Sequence, residues 1–241
     1  MAMTRHRLVI LDMDGTFLDS RGIGKIEHEW AYEAFKRTLS RYGLQLSIEE
    51  IDTYFLMPLH SDGEKGVRQF CDRFNLDCED FWAMRERDVI EAKIKAIQRG
   101  EINLCKGSES VIKYLSRKYQ LAVVSDSQQA CVDFAVEYFG LRPYFRIWYG
   151  RRSDLKSLSD RKPSPFYINK VLGELDIQRR AAILVDDSPV GVLAAKRAGI
   201  DSILISNDGR SEKEPESKLE PELEPEPTYI VRSITELKRV L

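Results

Sequence analysis

The chain has 241 residues, of which 43% are apolar and 10% aromatic, enough to bury a full core as one large domain or as a medium domain with an insert. Its 37 basic and 39 acidic residues leave a net charge of −2, so there is no global pull toward nucleic acid or anionic lipid; an anionic ligand has to be drawn by a local site. No stretch approaches the roughly 18 apolar residues of a membrane span, and Met1 to Arg7 is too short and polar for a signal peptide, so the expected compartment is the cytoplasm, with neither membrane nor nucleic acid as partner. Cys71, Cys78, Cys105 and Cys131 follow no metal or disulfide spacing and are expected as reduced thiols.

The first element is the apolar run Leu8 to Leu11, which ends in Asp12-Met13-Asp14-Gly15-Thr16. Side chains alternate along a strand, but Gly15 lets the chain leave extended geometry just after the second acid, so Asp12 and Asp14 can converge on one site. Two neighbouring carboxylates repel unless a cation joins them. A calcium loop starting at Asp12 would need glycine sixth and glutamate twelfth, where the chain has Phe17 and Ile23. A plain strand-to-turn ending uses the same residue types, and the rest of the chain has to decide.

From about Ile26 to Arg99 the pattern is helical. Trp30, Ala34, Phe35 and Leu39 mark one apolar stripe, and Phe81, Trp82, Val89, Ile90, Ile94 and Ile97 mark parts of another, expected as the core of an inserted helical domain. Asp19 to Lys25 and Gly100 to Gly107 are its expected hinges. Gly22-Ile23-Gly24-Lys25 lacks the spacing of a phosphate loop.

Short apolar runs then recur between helical segments: Leu121 to Val124, Arg146 to Tyr149, Ala181 to Val185 and Ser202 to Ile205. The helices include one capped by Ser108, one ending at Gly140, one starting near Ser164 and a last one over Ile234 to Leu241. This alternation predicts an α/β fold with a parallel sheet and helices on both faces. Ser211 to Thr228 carries seven glutamates and four prolines and is expected as a solvated, extended loop.

Polar groups cluster at the ends of these strands. Ser125 and the backbone N–H groups that follow it, beginning with Asp126, can form an anion site. Lys162 is held before Pro163 at another helix start, and Asp186 and Asp187 close the apolar strand Ala181 to Val185, a pairing that again suits a hard cation. Each group alone could be a helix cap or a solvated charge, but open α/β sheets bind ligands at the carboxyl ends of their strands, where all four fall.

These residues resemble the haloacid dehalogenase (HAD) superfamily over nearly the whole chain outside the acidic loop. Asp12-Met13-Asp14-Gly15-Thr16 is similar to its first motif, Ser125 to its second, Lys162 with Pro163 to its third, and Asp186-Asp187 with Ala194, Ala195, Ala198 and Gly199 to its fourth. The resemblance implies a Rossmann-like core over 1–20 and 104–241, with the acidic loop at 211–228, and a type 1 helical cap over 21–103, as in the phosphoglycolate phosphatase and β-phosphoglucomutase branch. It further implies a Mg2+-dependent phosphatase acting on a small phosphorylated substrate. Asp12 would be the nucleophile and Asp14 the general acid and base; Ser125, Asp126 and Lys162 would hold the phosphate. Asp12, Asp14, Asp186 and Asp187 would hold the metal, Asp14 through its backbone carbonyl.

The acid at Asp14 argues for phosphate esters over carbon–halogen bonds. Asp186 departs from the usual glycine before the fourth-motif acid and resembles the acidic pair of the phosphomutase and sugar-phosphatase branches, which keeps a mutase in play. A non-catalytic metabolite-binding or scaffold protein is the third reading, against which the intact motifs argue. Lys25, Lys65, Arg68 and Lys93 in the insert, and Arg151 and Arg152, are substrate-contact candidates by charge alone.

Overall fold

In the computed structural model, residues 6–206 and 226–241 are described. Most of the acidic Glu/Pro run therefore lies outside the described residues. The chain forms two units, one made of Met1–Ser20, Asn103–Gly150 and Asp160–Leu241, the other of Arg21–Ile102 with Arg151–Ser159.

The first unit is built on a sheet. Its strands are β1 (Leu8–Leu11), β4 (Gln120–Gln128), β5 (Ile147–Arg151), β6 (Ala182–Asp186), β7 (Asp201–Ile205) and β8 (Tyr229–Val231), in the order β5-β4-β1-β6-β7-β8; β2 (Leu18–Asp19) and β3 (Asn103–Leu104) form a separate antiparallel ribbon. β1 pairs in parallel with both β4 and β6, Leu11 standing level with Val123 and Val185. All four β1 residues are fully buried, as expected for a central strand covered on both faces. The sheet thus forms where the β-branched runs are, with one strand more at its edge, β8, in the short stretch between the expected acidic loop and the expected last helix.

In the second unit the helices are α1 (Glu29–Arg41), α2 (Ile48–Ile51), α3 (Met57–Asp62), α4 (Glu64–Arg73) and α5 (Cys78–Gln98), with a π-helical turn over Asp52–Leu56. Ser47 and Glu50 form a reciprocal capping box on α2, and Asp77 caps α5. Phe35, Phe55, Phe70 and Phe81 meet with ring centroids 4.4–6.1 Å apart, and Leu39 and Trp82 join them in the core. Leu155 and Leu158 are buried in the same cluster, the Trp82 indole donates to the Ser153 carbonyl, and Arg151 pairs with Glu86 at 2.7 Å. This apolar and ionic anchoring is why Arg151–Ser159 groups with the helical unit, although it lies some fifty residues beyond the expected insert. No helix among the described residues is long and apolar enough to cross a membrane.

Around the sheet lie α6 (Ser108–Leu115), α7 (Gln129–Tyr138), α8 (Phe166–Glu174), α9 (Pro189–Ala198) and α10 (Leu237–Val240). Ser108 is the first residue of α6 and not its cap; Gly107 takes the cap position with φ 85°, a left-handed conformation that glycine adopts without steric cost. The last helix is shorter than expected, a 3-10 turn over Ile234–Glu236 leading into α10.

Candidate active site

Strand pairing places the acids. The Asp12 N–H donates to the Val185 carbonyl at 2.9 Å, so the residues after β1 run alongside the end of β6, where Asp186 and Asp187 stand. Gly15 takes φ 80°, and Phe17 and Leu18 both donate back to the Met13 carbonyl, a tight reversal that returns Asp14 toward the strand ends.

Lys162 ties the two strands together. Its ammonium lies 2.6 Å from Asp12 Oδ1 and 2.7 Å from Asp186 Oδ2, and all three side chains are less than a tenth exposed. Asp186 Oδ1 accepts from the Ser188 N–H and hydroxyl, and Ser188 in turn caps α9 by accepting from Gly191 N–H. Gly191 is required there: a Cβ at that position would come within 2.0 Å of the Asp186 carboxylate.

Asp126, which the resemblance places at the phosphate, turns its carboxylate to the Lys162 backbone N–H at 3.0 Å and so fixes the loop that carries the lysine. Ser125 and Ser127 lie two apart on β4 and share a face. The Ser127 hydroxyl donates to Asp14 Oδ2 at 2.6 Å, whereas Ser125 Oγ is 3.5 Å from the same oxygen and accepts from the Ser127 N–H at 3.1 Å. Thr16 Oγ1 is buried with no hydrogen-bond partner among the described residues.

Electrostatics follow from burial. Removal from water pushes the Asp12 carboxyl well above the ordinary carboxylate range; Lys162 opposes this, while Asp186, Asp187 and Asp14 add to it. Burial alone would lower the Lys162 ammonium, but Asp12, Asp186 and Asp126 outweigh it and hold the group protonated well above its usual range. Burial also raises Asp126. One ammonium thus bridges the carboxylates of Asp12 and Asp186. Asp12, Asp186 and Asp187 each offer an oxygen, all within 4.8 Å of one another, a hard-oxygen donor set of the kind that suits Mg2+.

The charged candidates outside this cluster have other surroundings. Arg151 is 3% exposed and bonded to Glu86, Arg152 is exposed and pairs with Asp154, and Arg68 is tied to Glu64 and Glu79. Lys25 and Lys65 are exposed, and Lys93 is buried with its ammonium 5.9 Å from the centre of the Trp30 ring. Sequence reasoning missed Ser127 and Ser188. For Ser127 the signal was available, since a residue two beyond Ser125 on a strand has to face the same way.

The sequence profile of the haloacid dehalogenase-like hydrolases matches residues 9–205. PpaX of Caldanaerobacter subterraneus subsp. tengcongensis, a protein named as a pyrophosphatase, is 26% identical over 202 residues, covering 82% of this chain and 80% of its own. Among solved structures, CbbY from Rhodobacter sphaeroides in complex with phosphate superposes with a TM-score of 0.70 at 21% identity over 96% of each chain. A Haemophilus somnus 129PT protein named as a phosphoglycolate phosphatase gives 0.69 at 20% identity over 99% of each. At these identities the structural likeness is one of fold, and it agrees with a parallel sheet carrying an inserted helical unit. With the profile spanning the sheet from β1 to β7 and every strand-end motif within it, the chain belongs to the haloacid dehalogenase-like hydrolases.

Proposed function

We propose that this hydrolase is a Mg2+-dependent phosphatase that cleaves a small phosphorylated metabolite, of phosphoglycolate or sugar-phosphate type, through an aspartyl-phosphate on Asp12. The observation that carries this reading is the Lys162 ammonium shared by Asp12 and Asp186 at adjacent strand ends. It places a fixed positive charge beside a buried carboxylate, the pairing that in-line attack on a phosphate dianion requires.

Asp12 would attack phosphorus with a carboxylate oxygen while Asp14 gives a proton to the leaving oxygen. Asp14 would then take a proton from the water that attacks the phosphorus of the acyl phosphate, which returns Asp12 as a carboxylate and releases phosphate. Ser125 and Lys162 would hold equatorial phosphoryl oxygens through both steps, and Asp126 would keep Lys162 in place by its bond to the backbone. Asp12, Asp186, Asp187 and the Asp14 carbonyl would hold Mg2+, which would supply positive charge to keep Asp12 ionised and screen it from the substrate.

The acidic pair Asp186-Asp187 favours one further reading, a β-phosphoglucomutase-like phosphomutase, in which the same core returns the phosphoryl group to a sugar hydroxyl. The test is phosphate release from phosphoglycolate, hexose phosphates, nucleotides and pyrophosphate with and without chelator, comparing the natural chain with Asp12→Asn. Release that needs both Mg2+ and Asp12 supports the phosphatase. Interconversion of hexose phosphates without phosphate release overturns it in favour of the mutase, and inactivity throughout overturns both.

A further inference from the structure

We infer that Ser127 is a positioning residue for the acid/base Asp14, distinct in role from the phosphate-facing Ser125; the inference rests on the phosphatase reading above. The two serines lie two residues apart on one face of β4, yet their hydroxyls are bonded differently. Ser127 Oγ stands 2.6 Å from Asp14 Oδ2, within the range of a short charge-assisted O–H···O bond. Ser125 Oγ, 3.5 Å from that oxygen, is outside it. Because the Ser125 oxygen accepts from the Ser127 N–H, its own proton remains to be given to a phosphoryl oxygen.

The proton of Ser127 is committed to Asp14. Asp14 is half-buried on a tight loop, and anchoring one of its carboxylate oxygens fixes the plane in which the other must meet the leaving oxygen. On β4 the short bond to Asp14 comes from Ser127: Ser125 Oγ lies at 3.5 Å from the same oxygen, and the Asp126 carboxylate accepts from the Lys162 N–H. A hydroxyl at residue 127 therefore sets the angle of proton delivery without touching phosphorus.

Leaving groups separate these roles. Expulsion of p-nitrophenolate needs little help from an acid, whereas expulsion of an alkoxide depends on it, so a defect in Asp14 positioning falls on alkyl phosphates. The constant to compare is kcat/KM, which covers the steps up to loss of the leaving group. We would measure it for p-nitrophenyl phosphate and for the alkyl phosphate turned over fastest in the panel above, using the natural chain, Ser127→Ala, Ser127→Thr, Ser125→Ala and Asp14→Asn, with thermal unfolding as a check on the fold.

Ser127→Ala should lose on the order of tenfold or more on the alkyl ester and about threefold or less on the aryl ester. This is the selectivity of Asp14→Asn at smaller amplitude; Ser127→Thr, which keeps the hydroxyl, should recover most of the loss. Ser125→Ala should fall on both esters alike. Equal loss on both esters for Ser127→Ala, or no loss on either, overturns the inference while leaving the phosphatase reading intact. An inactive natural chain overturns that reading and this inference with it.

Discussion

Replacing Lys162 with methionine keeps an aliphatic stem of similar length and removes the ammonium that Asp12 and Asp186 share. Both carboxylates are almost fully buried, at 2.6 and 2.7 Å from Nζ, and removing one partner of such a pair costs about 3–5 kcal/mol. The loss has a ceiling, because a stranded carboxyl can take up a proton. At pH 7, protonating a group whose unfolded value lies near 3.9 costs about 4 kcal/mol, so the two routes agree. In a chain of this size that corresponds to a fall in Tm on the order of 10 °C. Burial already pushes Asp12 upward with Lys162 opposing, so in the variant its folded-state value rises further. The folded variant then binds a proton that the unfolded chain does not. Its deficit relative to the natural chain is greatest above the variant's raised value and shrinks as pH falls toward the value Asp12 already has beside Lys162. Thermal and urea unfolding in chelator at pH 5 and pH 7 measure both points. A deficit under about 1 kcal/mol at pH 7, or one unchanged between the two pH values, would refute the argument that this ammonium compensates the buried acids.

Gly191→Ala tests the packing behind Asp186. In an ordinary helix interior the change would stabilise by roughly 1 kcal/mol, but here the added methyl overlaps the Asp186 carboxylate, so a lower Tm and a loss of phosphate release are expected together. Chelation of Mg2+ should abolish turnover reversibly, with activity returning on titration of Mg2+ and not of Na+. In the helical unit, Glu86→Ala strands Arg151, which is 3% exposed and bonded to Glu86, and should destabilise that unit by about 3–5 kcal/mol in urea unfolding; Glu86→Ala with Arg151→Met should recover part of this. Additive losses in the double variant would show that the two groups do not act as a pair.

The sheet was legible because its strands are buried on both faces. Leu8 to Leu11 and Ala182 to Val185 read as unbroken apolar runs, and the acids that end them had to fall at the same edge once the strands were parallel. β8 escaped because it is three residues long at the sheet edge, with Tyr229 and Ile230 exposed and only Val231 buried, too little to leave a pattern. The aromatic stripes of the insert were legible as core for Phe35, Leu39, Phe81 and Trp82, whose neighbours repeat at helical spacing. The break of residues 48–73 into three short helices and a π turn was not, since it depends on where Gly63 and the tertiary packing interrupt the period. Arg151 shows the limit of reading charge from sequence: nothing local marks it for Glu86, sixty-five residues away, and only the fold reveals that its charge is spent inside the helical unit. Ser127 belongs to the opposite class, since strand alternation alone would have picked it out beside Ser125.

The helical unit draws on two separate stretches of chain, Arg21–Ile102 and Arg151–Ser159, with Leu155 and Leu158 of the second stretch embedded among the phenylalanines of the first. An insert encoded as one continuous cassette can be gained, lost or exchanged in a single genetic event. This one cannot: excising residues 21–102 would leave two leucines and a paired arginine stranded on the remaining chain, and a transplanted replacement would arrive without its last strut. Substitutions in either stretch are therefore coupled through the shared core, so a change among the phenylalanines of the first is felt by Leu155 and Leu158 of the second.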